Sequence, residues 1–113
     1  MVGGFMDTEK MVEVITRAMD DKKCKNIEKI PVADVTTVTD FFLIGTGTST
    51  THLKGIAGEI LEKMEEGGRP AAHIEGYDTA EWICIDFIDV VVHLFLERER
   101  QFYNIEKLWK DRL

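Results

Sequence analysis

The sequence predicts an α/β (α+β) fold: a mixed five-stranded sheet covered by helices, in the order α-β-β-α-β-β-β-α. Three observations support this prediction. Three segments have apolar residues at the spacing of an amphipathic helix, and several short apolar segments have the length of strands. One of these, Val90–Leu96, is apolar almost throughout, which is typical of a strand covered on both faces. The 113 residues suit one domain, 1–113, with residues 1–6 expected to be a flexible leader.

The first helix is predicted to begin at Asp7 or Thr8, because either side chain can cap the first backbone N–H groups. Its apolar residues recur at helical spacing: Met11, Val12, Ile15, Ala18 and Met19. The polar stretch 20–26 ends this helix. Residues 27–32 are then predicted to form a short strand, in which Pro31 indicates an edge or an end.

Residues 41–44 are predicted to form a compact apolar strand that leads into the Gly-, Thr- and Ser-rich run 45–51. We expect this run to be a flexible turn that caps the next helix. That helix has the clearest apolar stripe in the sequence: Leu53, Ile56, Ala57, Ile60, Leu61 and Met64. Gly67 and Gly68 are predicted to end it.

Three further strands are predicted at residues 71–75, 82–87 and 90–96. The last two form a hairpin around Ile88 and Asp89. A single helix is predicted to follow from Glu97, because Phe102, Ile105, Leu108 and Trp109 continue at helical spacing.

The net charge of −7 bears on the class of partner. Nucleic-acid binders gain most of their affinity by neutralising phosphates, so this chain is expected to make little direct contact with nucleic acid. No apolar run approaches the roughly 18–20 residues that cross a membrane, and the N-terminus does not resemble a secretory signal. We therefore expect a cytoplasmic protein, with Cys24 and Cys84 reduced. The three histidines are scattered and lack the spacing of metal ligands, so we expect neither a metal site nor a cofactor.

The candidates for catalytic chemistry each have a simpler interpretation. The run 45–51 could bind phosphate at a helix N-terminus, but it lacks GxGxxG or P-loop spacing and suits an ordinary turn. Asp86 and Asp89 could hold two metal ions as in nucleotidyltransferases, yet carboxylates at a hairpin usually serve the turn. Cys84 is expected to be an inert thiol, and His93 a core or rim histidine. No enzyme is predicted.

Aromatic residues concentrate in the last third of the chain: Trp82, Phe95, Phe102, Tyr103 and Trp109. Core packing explains most of them. Trp82 and Asp86 share one strand face because they are four residues apart in a period of two. A tryptophan beside carboxylates at an exposed sheet edge is typical of an interface hot spot.

Three blocks of the sequence together resemble the Iojap/RsfS family of ribosomal silencing factors. They are TDFFLIGTGTSTTHLKGIAGEI, HIEGYDTAEWICIDFIDVVVHLF and RERQFYNIEKLW, in the family's order. The resemblance implies a nucleotidyltransferase-like fold without catalytic residues. It also implies binding to a basic ribosomal protein on the intersubunit face of the large ribosomal subunit, which would block small-subunit joining when nutrients are limiting. An assembly factor for the large subunit and a nucleotide-binding enzyme remain alternatives, and a homodimer away from the ribosome is compatible with the family.

The resemblance also implies which residues contact the partner. Trp82 and Asp86 match the family's strand positions that are the leading candidates for this interface. The other matching positions are Glu75, Asp89, His93, Arg100, Phe102, Tyr103 and Trp109, and in the C-terminal block packing and interface roles are not separable. One departure is Ile88, where the family usually has glycine. Since a β-branched residue disfavours positive φ, we expect either a wider turn or ordinary dihedral angles there.

Overall fold

The strands form one mixed sheet of five strands. The computed structural model describes residues 6–113. Its elements are α1 (Thr8–Asp21), β1 (Lys25–Pro31), β2 (Phe41–Gly47), α2 (Thr50–Glu66), β3 (His73–Glu75), β4 (Trp82–Asp86), β5 (Val90–Leu96), α3 (Glu97–Tyr103) and α4 (Ile105–Lys110). The strand order in the sheet is β1-β2-β5-β4-β3. Strands β2 and β5 are parallel, and the other neighbouring pairs are antiparallel. The predicted α/β class with a mixed five-stranded sheet is confirmed.

Helices α1 and α2 cover one face of the sheet. The Asp7 carboxylate accepts the Lys10 N–H at 2.8 Å and caps α1, and the Ser49 hydroxyl accepts the His52 N–H at 3.0 Å and caps α2. The two apolar stripes are buried as predicted, apart from half-buried Val12 and Leu61, against sheet residues such as Leu43 and Val92. Full burial of each large side chain stabilises the fold by about 1.5–3 kcal/mol.

Strand β2 extends to Gly47, so the prediction of a flexible turn from residue 45 is wrong for residues 45–47. Parallel pairing continues to Gly47 opposite Leu96. A Cβ atom on Gly45 would lie 2.7 Å from Met19 Cε of α1, and one on Gly47 would lie 2.7 Å from Leu53 Cδ2 of α2. These glycines therefore allow the helices to pack closely on the strand.

The chain ends in two helices where the spacing predicted one. Asn104, with φ of 43°, adopts the left-handed conformation between α3 and α4. Asparagine tolerates this conformation better than most residues, and local apolar spacing does not report it. Ile105 and Trp109 of α4 pack on the second face of the sheet.

The N-terminal leader was predicted to include Met6. Residues 1–5 of that prediction lie outside the described residues. Met6 itself is 6% exposed, and its backbone carbonyl accepts a hydrogen bond from Arg69 Nη1 at 3.3 Å. The prediction is wrong at this residue, because Met6 packs beside Gly67 at the end of α2.

Over residues 6–113, no helix is long and apolar enough to span a membrane. Both cysteines are free thiols, Cys24 buried and Cys84 half-buried. Burial is the main reason that the pKa of each thiol is raised, to about 11. Neither thiol is therefore activated as a nucleophile at neutral pH.

Candidate functional site

On the second face of the sheet, the C-terminal helices pack on β1, β2 and β5. At the other end, strand register places His73 beside Asp86 and Glu75 beside Cys84. We call the surface formed by His73, Glu75, Trp82, Cys84 and Asp86 the open face. Its two β3 side chains are exposed and its three β4 side chains are half-buried.

Trp82 is the largest side chain of the open face. It shares the face with Asp86, as predicted, but the predicted position at an exposed sheet edge is wrong because β3 forms that edge. The half-buried indole stacks on Phe95 at 4.9 Å between ring centroids and contacts the Tyr103 ring at 4.7 Å. Gly76, with φ of 80°, closes the loop against this strand, and a Cβ there would lie 2.0 Å from the Trp82 carbonyl oxygen.

His93 lies beneath the open face on β5. It is 9% exposed, as expected for a histidine in an apolar strand. Trp82 Nε1–H donates to His93 Nδ1 at 3.1 Å. Since an indole N–H only donates, the imidazole is neutral and carries its proton on Nε2. Burial lowers the pKa of His93 to about 4, which keeps this form at neutral pH.

The carboxylates of Asp86 and Asp89 are engaged in different contacts. Asp86 Oδ1 accepts the Ile88 N–H at 2.8 Å and orders the hairpin turn. Asp89 Oδ2 accepts from Arg69 Nη2 at 2.9 Å and from Thr8 Oγ1 at 3.5 Å, on the side of α1 and α2. Within the described part of the chain, no group of three His, Cys, Asp or Glu side chains could hold a metal ion. The geometry gives Asp89 a structural role.

The backbone conformation of the hairpin turn differs from the one expected for an isoleucine at position 88. The loop is tight, with Phe87 N–H donating to Val90 O at 2.9 Å and Asp89 N–H donating to Phe87 O at 3.0 Å. Ile88 has φ of 75°. Both expectations, a wider turn and ordinary dihedral angles, are therefore wrong. The hydrogen bonds of Asp86 and of the Phe87–Val90 pair hold Ile88 in a strained γ-turn.

Ile88→Gly is expected to stabilise the fold by about 1 kcal/mol, because glycine adopts positive φ freely and the strain exceeds the cost of a more flexible unfolded chain. The Ile88 side chain is 59% exposed, so little burial is lost. Urea unfolding measures the difference. Ile88→Val keeps the β-branch and serves as the control, with an unchanged free energy of unfolding; equal stability of the glycine variant would contradict the strain.

The C-terminal block divides into buried and exposed residues. Arg100 is 8% exposed, and Trp109 is half-buried with its ring edge-to-face with Phe42 at 5.0 Å. Both have packing roles. Phe102 and Tyr103 are 79% and 49% exposed, and Tyr103 extends the open face through its contact with Trp82.

The open face belongs to the most acidic part of the sequence. Residues 70–97 contain no lysine or arginine and six acidic residues, Glu75, Asp78, Glu81, Asp86, Asp89 and Glu97. A hollow of about 290 Å³ on this face is lined by Glu75, Gly76, Trp82 and Cys84. Negative charge around an aromatic ring can accommodate a lysine or arginine side chain. This absence of basic residues is visible in the sequence, but it is not part of the motifs that indicated the site.

Comparisons with known proteins agree on one family. The family described as "Ribosomal silencing factor during starvation" matches residues 6–112. A "Ribosomal silencing factor RsfS" from Halalkalibacterium halodurans is 38% identical over 106 residues, covering 94% of this chain and 91% of the relative. "Mitochondrial assembly of ribosomal large subunit protein 1" from Mus musculus is 32% identical over 111 residues, covering 96% of this chain and 47% of the relative. A crystal structure of a protein from Chromobacterium violaceum has a TM-score of 0.91 at 30% identity, covering 93% of this chain and 88% of that one.

Proposed function

This chain belongs to the RsfS family of ribosomal silencing factors, and we propose that its open face binds a basic protein of the large ribosomal subunit. The bound chain then blocks docking of the small subunit on the intersubunit face and represses translation under nutrient limitation. The family is named for silencing ribosomes during starvation, not for a reaction. The mechanism is steric and needs no turnover. Under this proposal the protein acts on ribosomes in the cytoplasm.

The observation that carries this proposal is the acidic open face around Trp82. The indole is half-buried, contacts the rings of Phe95 and Tyr103, and is flanked by carboxylates. This combination is typical of an interface hot spot. The negative charge of the segment 70–97 opposes contact with phosphates and favours a basic protein surface. The open face therefore supports a protein contact on the ribosome over an RNA contact.

Co-sedimentation with isolated large subunits tests the binding, with small subunits as the control. A subunit-joining assay then tests the mechanism. We expect selective binding to the large subunit and fewer joined ribosomes. Absence of binding at moderate salt would reject the proposal. Binding without any loss of joining would reject the steric block and favour a role in assembly.

Trp82→Ala is expected to weaken binding to the large subunit at least about 30-fold, as for a central aromatic anchor. Asp86→Asn keeps an acceptor for the Ile88 N–H while removing the charge, and is expected to weaken binding less and mainly at low salt. Glu62→Gln removes one exposed charge on α2, away from the open face, and is the matched control. Equal affinity of the folded Trp82→Ala variant would remove Trp82 from the interface.

A role in large-subunit assembly is the second candidate function. One relative, the mouse protein, is named for mitochondrial assembly of the ribosomal large subunit. The same open face would then bind a precursor of the subunit. Deletion of the gene should cause precursor subunits to accumulate during growth in rich medium, whereas a silencing factor predicts a defect when nutrients are withdrawn.

A homodimer away from the ribosome is part of the same proposal. Sedimentation equilibrium of the purified chain, alone and with large subunits, would show whether self-association competes with ribosome binding. A mass that stays monomeric over the tested concentrations would reject the dimer.

A further inference from the structure

We propose that His93 is a positioning residue: its imidazole lies beneath the open face and holds the indole of Trp82 in the orientation that the ribosomal partner binds. This inference rests on the proposed function of the open face. The family resemblance suggested His93 as a contact residue. Its 9% exposure instead favours an action through Trp82.

The first support is the direction of the hydrogen bond. Trp82 Nε1–H donates to His93 Nδ1 at 3.1 Å, and this is possible only while Nδ1 carries no proton. Burial keeps the pKa of His93 near 4, so the acceptor form persists through neutral pH. The imidazole is therefore a constant acceptor for the indole under the conditions in which ribosomes work.

The second support is that the imidazole is itself fixed. The Phe42 ring packs against it nearly perpendicular, with centroids 5.1 Å apart, and the Phe95 ring lies parallel to it at 6.3 Å. Position 93 also pairs with Ile44 of β2 and Cys84 of β4 in the sheet ladder. A side chain anchored at the centre of the sheet can impose its direction on a neighbour at the surface.

The third support is that the other contacts of Trp82 are less directional. The Phe95 ring stacks on the indole and the Tyr103 ring meets it at a tilt of 44°, and such ring contacts tolerate several relative orientations. The hydrogen bond selects one of these arrangements. An anchor that is already ordered loses less conformational freedom when the partner binds, and this preorganisation increases affinity.

Two substitutions of His93 separate positioning from packing. In His93→Asn, the amide oxygen occupies about the position of Nδ1 and can still accept the indole N–H. In His93→Leu, apolar volume is retained but no acceptor remains. We expect His93→Leu to bind large subunits about tenfold more weakly than wild type, and His93→Asn to stay within about threefold.

The readouts are affinity for large subunits, thermal stability, and the ¹⁵N-labelled indole signal of Trp82, assigned with Trp82→Phe. We expect the indole N–H of Trp82 to keep its hydrogen-bonded shift in His93→Asn and to lose it in His93→Leu. A merely structural role would make affinity follow stability in both variants. That result, or wild-type affinity of His93→Leu, would overturn the inference.

The same series distinguishes this inference from the proposed function. If wild-type chain does not sediment with large subunits, the proposed function fails and the role of His93 in binding fails with it. If wild-type chain binds and the two variants bind equally well, only the inference about His93 is rejected.

Discussion

Arg100→Leu is expected to lower the free energy of unfolding by about 3–5 kcal/mol, the usual cost of removing one partner from a buried ion pair. The guanidinium donates to both carboxylate oxygens of Glu106, from Nε at 2.9 Å and from Nη2 at 3.0 Å. Its Nη1 donates to Thr46 Oγ1 at 2.7 Å, and Nη2 lies 3.7 Å from Glu28 Oε2. Leucine would leave two carboxylates of limited exposure facing an apolar side chain.

The loss is expected to be large because Arg100 joins four elements. It lies on α3, and its partners lie on α4, β2 and β1. The Arg100 side chain is 9% exposed and that of Glu106 is 18% exposed, so solvent screens this pair weakly. Without the guanidinium, the junction at Asn104 and the docking of α4 on the sheet both lose support.

Urea unfolding followed by circular dichroism measures this effect. Lys107→Leu is the matched control in α4, because Lys107 pairs with Asp111 while both side chains are mostly exposed. Such a pair contributes about 0–1 kcal/mol. Adding Glu106→Gln to Arg100→Leu should recover part of the loss. A change below about 1 kcal/mol in Arg100→Leu would show that the network contributes little to stability.

Acid is expected to destabilise the fold through His93, by about 3 kcal/mol once the pH reaches 4. Burial lowers the pKa of His93 from 6.5 to about 4. Between these values the unfolded chain binds a proton that the folded chain excludes. The stabilisation is therefore fully present above pH 6.5 and is lost as the pH falls towards 4. Protonation also removes the acceptor for the indole N–H of Trp82.

The measurement is denaturant unfolding of wild type and His93→Leu at a series of pH values from 7 to 4. Carboxylates and the other histidines contribute equally to both proteins. The free energy of unfolding should therefore fall more steeply with acid in wild type than in the variant. Parallel curves would mean that His93 titrates alike in the folded and unfolded chains.

The spacing of apolar residues was sufficient to predict the elements in which that spacing matches the buried face. Helices α1 and α2 each bury one apolar stripe in the core, and the apolar strand β5 is buried on both faces. The period of two also placed Trp82 and Asp86 on one face of β4. These predictions succeeded because neighbours in sequence determine which side chains share a face.

Long-range contacts decided the features that local pattern did not predict. The run after Ile44 contains glycine, yet residues 45–47 continue β2 because β5 and two helices pack against them. The hydrogen bonds around the hairpin hold Ile88 at a positive φ that its own side chain disfavours. Asn104 breaks one predicted helix into two, where Arg100 and Glu106 meet across the junction.

From the sequence alone we predicted the family, the mixed sheet covered by helices and the strand that bears Trp82 and Asp86. Its motifs and periods encode these features locally. The chemical state of the site required the folded structure: Arg100 is a buried support, Asp89 pairs with Arg69, and His93 is neutral and accepts from Trp82. Burial and partners from distant segments determine the charge and contacts of a polar side chain. Spacing along the chain does not record them.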